Sequence, residues 1–152
     1  MSDEKKVYVT PNFRNMRIVE NPYLGKKKEA SVIMEPSDVN KYWNEEIDSY
    51  VFSDLKVLCE LDLSKYTIKA NSISAVKTIN ASSIIVNGDI NAFNLNAKEI
   101  KCVNIFARDV YVDNLLFVNS CTIDNLSAIT VSTASDNPKC RVINFDKREI
   151  SE

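Results

Sequence analysis

From Ile68 to Thr133 an aliphatic residue returns every five positions, at Ile68, Ile73, Ile79, Ile84, Ile90, Leu95, Ile100, Ile105, Val110, Leu115, Cys121, Leu126 and Val131. Three of the steps are six residues instead of five: Ile73 to Ile79, Ile84 to Ile90 and Leu115 to Cys121. Two places after most of these residues stands a small or apolar one, such as Ala70, Ala75, Ala81, Val86, Ala92, Ala97, Cys102, Ala107 or Val112. A period of five suits neither a helix nor an ordinary strand. It suits short extended segments joined at bends, with the aliphatic residue and its small companion on one side of each segment. The residue before each aliphatic is polar, from Thr67 and Ser72 to Asn125 and Thr130. Most of these are short side chains that bond to nearby backbone and tolerate bends. Asn87-Gly88, at one six-residue step, is the strongest local turn signal. Coiling such blocks stacks equivalent ones at about 4.8 Å per turn. With four blocks to a coil, the thirteen blocks predict about three coils.

The flanks follow other patterns. The runs Val7–Thr10 and Met16–Val19 read as short strands between turn signals. Ser37 follows Pro36 as a candidate N-cap, and Val39, Trp43, Ile47 and Val51 then fall four apart, predicting an amphipathic helix of about 12 residues. Its apolar face would cover the first coil, since a solenoid needs its open end capped. Glu45 and Glu46 fall off that stripe and read as a solvated face rather than an acid/base pair. Val57–Leu63 alternates as a strand leading into the coils. After Thr133, Ser135-Asp136-Asn137-Pro138 is a turn cluster, and Cys140, Val142, Ile143 and Phe145 form a last strand before a charged tail. The chain therefore divides into an N-terminal arm and helical cap (1–63), a β-solenoid (64–133) and a C-terminal strand and tail (134–152).

The repeat resembles the pentapeptide-repeat proteins. Ile90, Asn91, Ala92, Leu95, Asn96 and Ala97 resemble most closely the "INAWD/INAGN" type of tandem repeat found in low-GC Gram-positive bacteria and their phages. The resemblance covers about 66 of the 152 residues. It implies a mainly β fold, a right-handed parallel β-helix. In the common pentapeptide pattern the small residue precedes the large one; here it follows, as in Ile105-Phe106-Ala107. Both a four-sided and a triangular coil, the latter resembling the bactofilins, stay open.

Composition narrows the chemistry. The chain lacks histidine and has only two glycines, Gly25 and Gly88. That removes the commonest general base, imidazole metal ligands and a glycine-rich phosphate cradle. No two of Cys59, Cys102, Cys121 and Cys140 form a CxxC pair. The last three are nineteen apart, near one turn of a 20-residue coil, so they are expected to stack as reduced interior thiols in a bacterial cytosol. We expect no enzyme, no cofactor and no metal. With no apolar run near about 18 residues and no N-terminal signal core, we expect neither a membrane span nor export.

Members of the resembling family that mimic DNA need acidic outer rows. Between Ser64 and Thr133, however, five acids face six bases, a sum of +1. Only the 29–63 segment is acidic, at −7, while the first 30 residues are basic. A nucleic-acid partner is not expected, and a DNA-mimic role ranks last. The informative residues break the pattern: Ile85, Phe93, Val103, Phe106, Tyr111, Leu116, Val118 and Ile129 lie outside the inward register. Apolar side chains facing out mark protein interfaces. Phe93, Val103, Phe106, Tyr111, Leu116 and Val118 are the candidate protein-binding residues. The function expected is non-catalytic protein binding, in concrete form a phage or mobile-element inhibitor of a host enzyme or defence complex. The alternative is a structural solenoid that assembles into homo-oligomers.

Overall fold

The computed structural model describes the backbone of residues 6–9, 16–20 and 28–149, and the side chains of 35–149. Among the described residues there are eleven strands, β1 Lys6–Val9, β2 Met16–Glu20, β3 Lys28–Met34, β4 Trp43–Asn44, β5 Ser49–Val51, β6 Asp54–Val57, β7 Glu60–Ala70, β8 Ser72–Val86, β9 Asp89–Ala128, β10 Thr130–Thr133 and β11 Lys139–Lys147; they build a β-solenoid of about six turns, with β2 pairing antiparallel to β3 alone. Both strands expected before residue 20 are present. The basic residues of that arm lie among the side chains outside the described ones.

The blocks stack three to a coil, not four. Ile68 pairs in parallel with Ile84, Ile84 with Ile100, and Ile79 with Leu95, each 16 residues on. Side 1 carries the column Leu55, Ile73, Ile90, Ile105, Cys121 and Cys140; side 2 carries Leu61, Ile79, Leu95, Val110, Leu126 and Phe145. Side 3 carries Tyr50, Ile68, Ile84, Ile100, Leu115 and Val131. The three-coil expectation was low for two reasons. A coil takes three blocks, and coiling begins before Ile68 and continues past Thr133. The expected entering strand also divides. Val57 ends β6 on side 1, Leu58 and Cys59 turn the corner, and Leu61 and Leu63 lie on side 2.

The second inward position explains how three sides can close. Ala75, Ala81, Ala92 and Ala107 are all buried beside larger aliphatics. A methyl group at this place leaves room for the next side to turn in, while the Ile and Leu fill the centre. The thiols follow the same geometry. Cys121 is in register with Cys140, but the Ser120–Asn104 bond places it above Ile105, not Cys102. The expected three-thiol stack is thus only a pair. The coil beneath Cys121 has 16 residues, while the loop at 134–138 lengthens the last one to 19.

The polar residues before the aliphatics bond chiefly along the solenoid, from coil to coil. Asn104 donates to Asp89 at 2.8 Å and accepts from Ser120 at 2.7 Å and Asn119 at 3.0 Å. On the next corner Asn94 donates to Asp109 at 3.0 Å, and Asn125 donates to the same carboxylate at 2.7 Å. Asn144 then donates to Asn125 at 2.8 Å. An amide offers both donor and acceptor, so one Asn per coil can extend such a ladder without a break.

The expected helix is absent. Pro36–Asp38 and Asn40–Tyr42 are single 3-10 turns, and no α-helix occurs among the described residues. Trp43 and Asn44 instead pair antiparallel with Tyr50 and Ser49 across a tight loop, where Asp48 takes a left-handed conformation (φ 53°). Of the expected stripe only Val39 is buried, while Ile47 and Val51 are exposed. Tyr50 is buried in their place because β5 pairs in parallel with Thr67–Lys69 and continues side 3. Pairing along a ready-made sheet edge overrides local helical spacing. The cap is aromatic: Trp43, Tyr50 and Tyr66 meet edge-on with ring centroids 4.9–5.7 Å apart. Glu45 and Glu46 lie exposed in the loop.

Candidate interaction surface

An outward residue on a three-sided coil can lie on any of three walls. Phe106 follows Ile105 and projects from side 1, where it is 62% exposed. Phe93 stands one coil below, at the corner between sides 1 and 2, and shares with Phe106 a shallow groove of about 410 Å³. Val76, Asn91, Arg108 and Asp124 also line it, together with Ala75, Ala92 and Ala107. The Arg108 guanidinium lies 4.8 Å from the centre of the Phe93 ring, and its Nε is 3.7 Å from an Asp109 oxygen. Both members of that ion pair are well exposed, so the pair is worth little and Arg108 keeps donors for another carboxylate.

The other candidates go elsewhere. Tyr111 projects from side 2 into a separate groove of about 760 Å³, lined also by Asn125, Ser127, Ile143 and Phe145. Leu116 is half-buried on side 3, level with Ser132 of the next coil. Val103, half-buried, and Val118, exposed, follow side 3 at its corner with side 1. Ile85 and Ile129 are half-buried. The structure therefore joins Phe93 to Phe106 and places Tyr111 and Leu116 on other walls.

Two features escape the sequence pattern. Arg148 sits within the charged run that reads as a solvated tail. Its side chain instead folds back over side 2, with Nη1 3.1 Å from Asp113, Nε 2.9 Å from the Ser127 hydroxyl, and the guanidinium 4.0 Å above the Tyr111 ring. It also donates to the Val112 carbonyl. The second feature is the upper end. Phe145 ends the inward column of side 2, yet it is 52% exposed because no described element stacks on β11. Ile143 and Cys140 are exposed beside it.

Burial sets the titration of the interior. It pushes the Cys102 thiol up to about 12, with Asp89 adding to the effect. Burial, then neighbouring Cys140 and Cys102, raises Cys121. Burial, then Tyr66, raises Tyr50. Desolvation disfavours the charged form in each case. Among the described residues no group of three or more Cys, Asp or Glu side chains is placed to hold a metal, and no helix is long and apolar enough to cross a membrane. Comparison with family models, with curated proteins and with solved structures finds no match to this chain.

Proposed function

We propose that this chain is a non-catalytic protein-binding solenoid whose contact surface centres on Phe93, Phe106 and Arg108. The observation that carries this reading is the exposure of Phe106 in the middle of the stack. The outward place one coil below it is held by the polar Asn91. Two aromatic rings beside an available guanidinium suit a partner that offers an apolar side chain flanked by a carboxylate. The stacked coils hold these groups in fixed relation, which lowers the ordering cost of binding. The resemblance to INAWD/INAGN-type repeats favours a specific form, an inhibitor of a host enzyme or defence complex acting in the cytosol. Replacing Phe93 and Phe106 together by Asp should weaken capture of the partner from the native host by more than about thirtyfold, the loss of one hot spot. Tyr111→Asp, on another wall, serves as the control. Equal capture by the Phe93/Phe106 variant and the parent, with matching circular dichroism, would sink the reading.

The open upper end favours a second reading, a scaffold that self-associates. The outer edge of β11 has no described partner, and an unpaired strand edge invites pairing. Two copies meeting antiparallel about the Ile143–Asn144 bond would set Arg141 opposite Asp146 and Val142 opposite Phe145. Both pairs occur twice, as two-fold symmetry requires. Light scattering should then show a dimer that Arg141→Asp dissociates and the double exchange Arg141→Asp/Asp146→Arg restores. A monomer at every concentration rules this reading out.

A further inference from the structure

We propose that Cys121 and Cys140 are a modification site, a thiol pair that closes to a reversible disulfide and fastens the last strand to the body of the solenoid. The two are register partners on adjacent parallel strands, β9 and β11. Paired strands lie about 4.8 Å apart, inside the range of about 4.4–6.8 Å between Cα atoms that a disulfide spans. In-register residues of parallel strands point the same way, so the two thiols lie side by side across the strand pair. The bridge needs the Cβ atoms slightly closer than the sheet spacing. β11 can supply that movement, because its pairing is with β9 alone among the described strands.

The pair is also graded in access. Cys140 is exposed and Cys121 is fully buried. An oxidant in solution therefore meets Cys140 first, and Cys121 reacts only with the sulfur of its register partner. With hydrogen peroxide as oxidant, the Cys140 thiolate attacks one peroxide oxygen, the O–O bond breaks, and Cys140 becomes a sulfenic acid as hydroxide leaves and takes up the proton that the thiol gave to solvent, forming the first water. The Cys121 sulfur then attacks the Cys140 sulfur, the S–O bond breaks, and the proton of Cys121 leaves with that oxygen as water. Two thiols are oxidised and one peroxide is reduced to two waters. Cys102 and Cys59 are both buried and fall outside this register pair.

The test uses the full chain, treated with hydrogen peroxide and then alkylated under denaturing conditions. The expected product is a monomer lighter by two hydrogens before alkylation and carrying two alkyl groups instead of four after it, with peptide mapping linking Cys121 to Cys140 and dithiothreitol reversing the change. Amide exchange across Lys139–Lys147 should slow by about tenfold or more in the oxidised form. In Cys121→Ser, Cys140 should persist as a sulfenic acid that dimedone traps, whereas the parent should trap little. Cys140→Ser, an exposed and mild change, should abolish the two-hydrogen loss even if the buried variant does not fold. Sulfinic or sulfonic Cys140 beside a free Cys121 thiol would overturn the proposal. So would a disulfide found only between two chains. Neither result bears on the Phe93/Phe106 surface.

Discussion

Ile84→Ala should cost about 2–5 kcal/mol of stability, the range for truncating a fully packed aliphatic side chain. Ile84 is wholly buried, with Ile68 below it and Ile100 above it in the side 3 column, both equally buried. Backbone pairing to the coils on either side holds its strand at fixed height, so the walls cannot collapse into the cavity. Val131 closes the same column, but it is half-buried. Val131→Ala should therefore cost no more than about 1 kcal/mol. Urea titrations of both variants measure the difference. A shifted midpoint with unchanged slope for Ile84→Ala would show that the loss lies in the folded core. Coils interact mainly with their neighbours, so a central defect should also loosen the coupling between the two halves. That would show as earlier amide exchange in one half than in the other. Equal losses at Ile84 and Val131 would mean that stacking does not govern stability here.

The same column shows what can be read from the chain and what cannot. Spacing alone identifies Ile68, Ile84, Ile100 and Leu115 as inward, and each is buried. It marks where the chain bends but not how many bends complete a turn. Five-residue blocks fit three sides or four, and the choice depends on how side chains from different blocks share the interior. That contact is non-local. The candidate surface carries the same ambiguity. Outward direction is legible at Phe93, Phe106 and Tyr111, all exposed. Their grouping is not, because it depends on coil length. Phe93 and Phe106 are thirteen apart, which on a coil of 15 or 16 residues makes them diagonal neighbours on adjoining coils. The helix expected from Val39 to Val51 failed for a related reason. Its residues also suit strands, and the free edge of Thr67–Lys69 decided the matter.

Arg148→Ala should release the last strand while leaving the lower coils intact. Arg148 is the next residue after β11, and its amide still bonds to the Ala128 carbonyl. Its side chain then ties that point to the coil beneath Leu126, through Asp113, the Val112 carbonyl and the face of Tyr111. The guanidinium is largely shielded, with its side chain 21% exposed, so these bonds are less screened than those of an open surface pair. A hydrogen bond to a charged group contributes about 1.5–3 kcal/mol. Loss of the set should speed amide exchange in Lys139–Lys147 by roughly ten- to a hundredfold, since about 1.4 kcal/mol is a factor of ten. The global midpoint should move much less, because β11 pairs only with β9 among the described strands. Arg148→Lys discriminates the causes. Lysine keeps the charge near Asp113 but cannot bond Ser127, Val112 and Asp113 together while lying flat on Tyr111. If the fork is what holds the strand, lysine should recover only a minor part of the protection. Full protection with lysine would reduce the clasp to a simple ion pair, and unchanged exchange in Arg148→Ala would show that backbone pairing to β9 alone keeps the strand closed.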